Sequence, residues 1–174
     1  MMFKDYFFVA RGDPPLAVKS ECEKMNNQLM KIIDPRSIID KWVGTPYGYR
    51  MATPSIGVDC AHLVITIIEE ARGVSEIVIP NYPRSWRLSD PALFERSLAS
   101  LEMKHQIRTI LEHDIEFADI ALMTDNDGRI KHAAAIIDRA SLIHITDDES
   151  IPSVRIEPIS RYRDRIIRFI RIEK

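Results

Sequence analysis

Gly57-Val58-Asp59-Cys60-Ala61-His62-Leu63-Val64-Ile65-Thr66-Ile67-Ile68-Glu69-Glu70-Ala71-Arg72-Gly73 is the stretch on which the reading of the whole chain turns. Cys60, Val64, Ile67, Ile68 and Ala71 recur at helical spacing, so one face of a helix is apolar from its first turn onward. Asp59 stands where an N-cap is needed, and Gly73 can adopt the left-handed conformation that stops a helix. The segment predicts a buried helix with a cysteine in its first turn. The helix dipole and the first-turn N–H groups favour a thiolate there, and the same donors face the place where the oxyanion of a tetrahedral intermediate would form. Alone, a cysteine is more often a small buried hydrophobe; Cys22 has no comparable setting and keeps that reading.

Toward the N-terminus, Asp34-Pro35 opens a short helix with Ile38, Ile39 and Trp42 on one face, ended by Gly44-Thr45-Pro46. Residues 1–34 carry mixed charges, Pro14-Pro15 and a short helical stretch from Leu16 to Ile33, and offer no chemistry. They are expected to be an N-terminal extension to a domain spanning 35–174.

Toward the C-terminus, Val74 to Phe117 reads as a connecting region. It holds the turn Pro80-Asn81-Tyr82-Pro83 and a helix that starts near Ser89-Asp90-Pro91 and passes Leu98 and Leu101. From Asp119 the pattern changes to short β-prone runs: Ile120–Thr124, Lys131–Ile137, Leu142–Thr146, Val154–Glu157 and Ile166–Ile172, with Asp125-Asn126-Asp127-Gly128 as a turn. Helices followed by strands predict an α+β domain, N-terminal helices packed on a C-terminal antiparallel sheet. The run Arg161, Arg163, Arg165, Arg168 and Arg171 is expected on an edge strand, facing water.

The totals narrow the function classes. A chain of 174 residues with 45% hydrophobic residues suits one domain with a real core. Lys+Arg 24 against Asp+Glu 26 leaves a charge of -2, so no overall positive field favours nucleic acid as a partner. Two cysteines are too few for a disulfide framework. Lys4 and Asp5 interrupt the N-terminal apolar run, so no signal peptide is expected. No apolar stretch reaches the roughly 18 residues of a bilayer span, so no membrane insertion is expected either. The chain is expected to be made soluble in the cytoplasm and, for a target outside it, to be delivered by something else.

His132 begins the Ala-rich strand His132-Ala133-Ala134-Ala135-Ile136-Ile137, whose small side chains would let a helix come close. A thiol nucleophile needs an imidazole base within hydrogen-bond reach and a third group to orient it; His144 is the candidate for the third. The two rings share a face of a hairpin only if His144 lies opposite Ala134, roughly 7–8 Å diagonally from His132. A three-residue loop or a bulge does that, whereas a four-residue loop puts His144 opposite Ala135. The mechanism therefore predicts the three-residue loop or the bulge.

Gly44-Thr45-Pro46-Tyr47, Gly57-Val58-Asp59-Cys60-Ala61-His62-Leu63-Val64, Asp119-Ile120-Ala121-Leu122-Met123, His132-Ala133-Ala134-Ala135-Ile136 and Leu142-Ile143-His144 resemble, in order and spacing, the successive motifs of the NlpC family of papain-like cell-wall cysteine peptidases. The resemblance runs from about Pro35 to the C-terminus. It implies Cys60 as nucleophile, His132 as base and His144 as the group that orients it. It also implies hydrolysis of peptidoglycan stem peptides beside γ-D-glutamate, commonly before diaminopimelate, through a thioester, with no metal or cofactor. In the family, the residues matching Asp59 and Tyr47 help hold the substrate's free amino group; Asp59 serves equally as a helix N-cap, and Tyr47 as core. Asn81-Tyr82-Pro83-Arg84 and the strand-rich tail are similar to the branch found with bacteriophage tails and gene-transfer particles, which implies tail proteins as partners and a phage-like particle as the delivery route to the wall.

Two departures add bulk beside the cleft. Family members usually carry Gly at the position of His62 and a small residue near Arg50, although the favoured reading of His62 is a surface residue of the first helical turn. Three rivals stand beside the peptidase. Cys60, His62, His132 and His144 include metal-ligand types, but Cys-x-His at a helix start is not a usual zinc spacing. A non-catalytic wall-binding or tail component would keep the fold without the chemistry. An amidase effector injected into competitor bacteria would keep the chemistry for another purpose.

Overall fold

The computed structural model describes residues 34–75, 77–85, 90, 92–124, 127–145 and 150–173. The extension expected over 1–34 lies outside these, apart from Asp34, as do parts of the turns at 125–126 and 146–149.

Among the described residues, three helices form where the apolar spacing requires them. Asp34 caps α1 (Pro35–Asp40) by accepting from Arg36 N, and α1 buries Ile38 and Ile39. Asp59 caps α2 (Cys60–Arg72), which ends at Gly73 in the left-handed region with φ 59. Its buried face is Leu63, Val64, Ile67 and Ile68, each contributing roughly 1.5–3 kcal/mol of burial. α3 (Leu93–Glu102) buries Leu98. Before α2 a small ribbon pairs β1 (Ala52–Thr53) antiparallel with β2 (Gly57–Val58).

The remaining strands are β3 (Gln106–Ile110), β4 (Ile120–Thr124), β5 (Ile130–Ile136), β6 (Ser141–His144), β7 (Arg155–Pro158) and β8 (Ile166–Glu173). They make one six-stranded sheet in the order β3-β8-β4-β5-β6-β7, antiparallel throughout. The protein is thus a mixed helix-and-sheet fold built on an antiparallel sheet. β3 falls in the region read as connecting, because Gln106-Ile107-Arg108-Thr109-Ile110 buries only Ile110 and shows little hydrophobic signal. That strand corrects the edge placement of the arginine run. β8 lies between β3 and β4, and Arg171 is buried, with Nε 2.7 Å from Asp119 Oδ1 and Nη2 2.8 Å from Oδ2.

Alternate residues of the strands serve two cores. Ala133, Ala135, Ile120, Leu122 and Ile143 pack with the α2 face, whereas Ala134, Ile136, Ala121, Met123 and Leu142 pack on the other side with Ile159 and Phe169. The alanines facing α2 leave room for the helix to approach. Arg72, in the last turn of α2, donates to Phe117 O at 2.7 Å and Asp119 Oδ1 at 2.8 Å. Ile136 N in turn donates to Asp119 O at 2.8 Å. The C-terminus of α2 is therefore pinned where β4 begins and β5 ends, so the helix runs antiparallel to β4 and parallel to β5. At about 1.5 Å per residue, its 13 residues span roughly 20 Å. That length brings Cys60 to the end of the sheet where β5 begins and His132 stands.

Candidate active site

The β5–β6 hairpin sets the histidines. Ala135 pairs with Ile143 and Ile136 with Leu142, and Ile137 N donates to Ser141 O at 3.0 Å. The loop is therefore Asp138, Arg139 and Ala140, closed by Ala140 N donating to Asp138 Oδ1 at 2.8 Å. This three-residue loop carries His144 to a position opposite Ala134, on the same face as His132. Both rings are 4% exposed. His132 Nε2 lies 2.9 Å from His144 Nδ1, the ring centroids 5.1 Å apart at 65°.

Beyond His144 the line continues to a residue the sequence reading missed. His144 Nε2 is 2.8 Å from Glu157 Oε2. Arg161 Nη1 donates to Glu157 Oε1 at 2.5 Å, and the Tyr162 hydroxyl donates to Oε2 while standing 3.2 Å from His144 Nε2. In Val154-Arg155-Ile156-Glu157 the apolar residues invite Ile156 to be placed inward. The β6–β7 register instead pairs Leu142 with Glu157 and His144 with Arg155, leaving Ile156 47% exposed and Glu157 8% exposed. The signal available was a single carboxylate in a short strand that also carries Arg155 and Ile156.

These contacts decide protonation. Burial pushes the Glu157 carboxyl up, but hydrogen bonds from Tyr162 and His144 outweigh it and hold the group below its ordinary value. Burial lowers His144, and the opposing pull of Glu157 does not restore it, so its imidazole is neutral near pH 7. Burial and the bond to Glu157 push the Tyr162 phenol up to about 12. An ionised carboxylate only accepts, so His144 carries its proton on Nε2 and presents the lone pair of Nδ1. His132 must then donate through Nε2, and its Nδ1 becomes the basic nitrogen.

Cys60 is the first residue of α2, half-buried and with its thiol reduced. Beside it the Asp59 carboxylate, 3% exposed, is surrounded by donors. Oδ1 accepts from His62 N at 3.0 Å and faces His62 Nδ1 at 2.8 Å. Oδ2 accepts from Arg50 N at 2.8 Å and from the Tyr82 hydroxyl at 2.5 Å. Burial raises Asp59, but the bonds from His62 and Tyr82 bring it below its ordinary value. Tyr82 is pushed far up, by burial first and by its bond to Asp59 second. His62 is thus not a plain surface residue, since one helical turn places its ring on the capping carboxylate.

Tyr47, Asp59 and Cys60 line one cavity of about 100 Å³ together with Val64, Tyr82 and Ala133. Ala133 follows His132 in β5, so the cavity reaches the strand that carries His132. Gly48 and Gly57 let the Tyr47 and Asp59 segments lie close together: a Cβ built on Gly48 would stand 2.9 Å from Gly57 Cα. The proposed residues thus form two groups at one end of the sheet, Tyr47 with Asp59 and Cys60, and His132 with His144.

No model of a known protein family matches the chain, and no curated protein matches it. Among solved structures it is similar to a protein from Staphylococcus aureus subsp. aureus Mu50 described as similar to lipoprotein, NLP/P60 family. The match has 20% identity and a TM-score of 0.49, covering 80% of this chain and 41% of that one. The chain spans less than half the length of that protein.

His62 Nδ1 faces Asp59 Oδ1, and His132 Nε2 faces His144 Nδ1. Among the described residues no three His, Cys, Asp or Glu side chains are grouped to hold a metal ion. What the site contains is a helix-tip thiol and, at the same end of the sheet, an imidazole whose tautomer is set by a second imidazole and a carboxylate.

Proposed function

We propose that the chain is a cysteine peptidase of the NlpC type, papain-like in fold, that hydrolyses peptide stems of the bacterial cell wall. The observation that carries this reading is the hydrogen-bonded line His132–His144–Glu157, which leaves Nδ1 of His132 as a base at the end of the sheet reached by Cys60. The Cys60 thiol passes its proton to His132 Nδ1, and the thiolate adds to the carbonyl carbon of the scissile amide. First-turn N–H groups of α2, which lie outside the helical ladder, hold the oxyanion. The carbonyl re-forms as the C–N bond breaks, and the protonated His132 gives its proton to the departing amine. A thioester remains on Cys60; water, giving a proton to His132, hydrolyses it and frees the thiol.

The sequence motifs support a substrate cut between γ-D-glutamate and diaminopimelate, and the loop around Tyr82 supports delivery with a phage-tail-like particle. Mass spectrometry of peptidoglycan fragments after digestion tests the bond and the nucleophile together. Wild type should release new stem-peptide ends, and Cys60→Ala none. Alkylation of Cys60 by iodoacetamide at pH 6 tests the pairing separately: His132→Ala should slow it by about tenfold or more. An unchanged alkylation rate would mean that the thiol and the imidazole do not meet.

A further inference from the structure

The Asp59 carboxylate stands beside the nucleophile, yet its bonding capacity is spent within the protein. A carboxylate offers about four lone-pair positions. Here Oδ1 faces His62 N and Nδ1, and Oδ2 faces Arg50 N and the Tyr82 hydroxyl. Among the described residues Asp59 is also the one acidic side chain lining the cavity, whose other walls include Val64, Ile65, Phe94, Leu98 and Leu101. An ammonium group entering there would need to displace a donor from Asp59 or lie desolvated among aliphatic side chains, which is costly. The displaceable donor is the His62 ring, whose side chain is 22% exposed; the other three donors are backbone amides and the buried Tyr82.

We propose that His62, seated on Asp59, closes the subsite beside Cys60 to cationic groups and makes it select an uncharged, amide-capped acyl-side segment. The inference rests on the peptidase reading for its substrate. It assigns the enzyme stem peptides whose N-terminal residue is still amide-linked, in preference to released peptides with a free α-amino group. His62 is the specificity-determining residue, and Tyr82 shares in filling Asp59.

The probes are L-Ala-γ-D-Glu-diaminopimelate peptide with a free amine and the same peptide N-acetylated. Cleavage is measured with wild type, His62→Ala and Tyr82→Phe, and direct binding by calorimetry with each change placed in a Cys60→Ala background. Wild type should favour the acetylated peptide by about tenfold or more, and both substitutions should move the ratio toward the free amine by a similar factor. Ala keeps helix propensity at position 62, and circular dichroism verifies the fold of each variant. Preference of the wild type for the free amine, or a ratio unmoved by both substitutions, overturns the proposal. Binding of the acetylated peptide without cleavage overturns the peptidase reading and leaves the selectivity standing. Failure to bind either peptide overturns both.

Discussion

His132 Nε2 stands 2.9 Å from His144 Nδ1, so neither imidazole can choose its tautomer independently of the other. Two adjacent basic nitrogens share one proton. The carboxylate of Glu157, 2.8 Å beyond His144, breaks the tie because it accepts only. A carboxylate on an edge strand thereby sets the chemistry of a ring two strands away.

Glu157→Gln should therefore damage catalysis without removing any proposed catalytic group. The carboxamide can donate to His144 Nε2, which would put that proton on Nδ1 and turn His132 over. We expect kcat on a stem peptide to fall about 100-fold with KM little changed. His132→Ala should abolish turnover and His144→Ala should reduce it less. A Glu157→Gln enzyme with kcat within a factor of two of wild type would show the relay to be idle.

Stability should decline as pH falls below about 6.5, the ordinary value for His144. His144 is held below that value, so the unfolded chain takes up its proton first and the advantage of the neutral folded form is lost. Asp59 and Glu157 are likewise held below their ordinary 3.8 and 4.5. Their contributions are complete above those values and are lost as pH drops toward the folded ones. All three have the same sign, because in each window the unfolded state binds more protons. Urea denaturation between pH 7 and pH 3.5 should show this decline, with a shallower acid limb in Glu157→Gln. Greater stability at pH 4.5 than at pH 7 would contradict the assignment.

Gly48→Ala should loosen the segment that carries Tyr47. The added Cβ meets Met51 Sδ at 2.6 Å and Gly57 Cα at 2.9 Å. Overpacking of this kind costs about 1–3 kcal/mol. The thioether can move and the Gly57 backbone cannot, so adding Met51→Ala should recover only part of the loss in a denaturation experiment. Full recovery would place the conflict in the side chain alone.

Asp119→Asn should be more damaging than Arg171→Met. Asp119 is fully buried and holds Arg72, Arg171 and the amide of Glu116. Neutralising it leaves two guanidiniums facing each other at the end of the sheet, a loss of about 3–5 kcal/mol. Removing Arg171 leaves Asp119 still paired with Arg72. Urea midpoints compare the two, and equal losses would argue against the shared carboxylate.

Local sequence was enough for the elements that carry their own signals. Asp59 and Gly73 mark the ends of α2 because capping and left-handed conformation depend on single residues. The β-prone runs after Asp119 declare themselves by composition, and the loop of Asp138, Arg139 and Ala140 was reachable because strand parity links two distant histidines to one turn length. β3 was not legible, since an edge strand with one buried residue resembles a solvated loop, and missing it misplaced Arg171.

The partners of the site belong to tertiary structure. Glu157 reaches His144 only through the β6–β7 register, which overrides the local alternation of Val154 and Ile156, and Tyr82 reaches Asp59 across 23 residues of chain. Periodicity and capping are properties of neighbours along the chain and can be read there. Which buried polar groups satisfy one another depends on distances between separate elements, and these exist only once the sheet order and the direction of α2 are set.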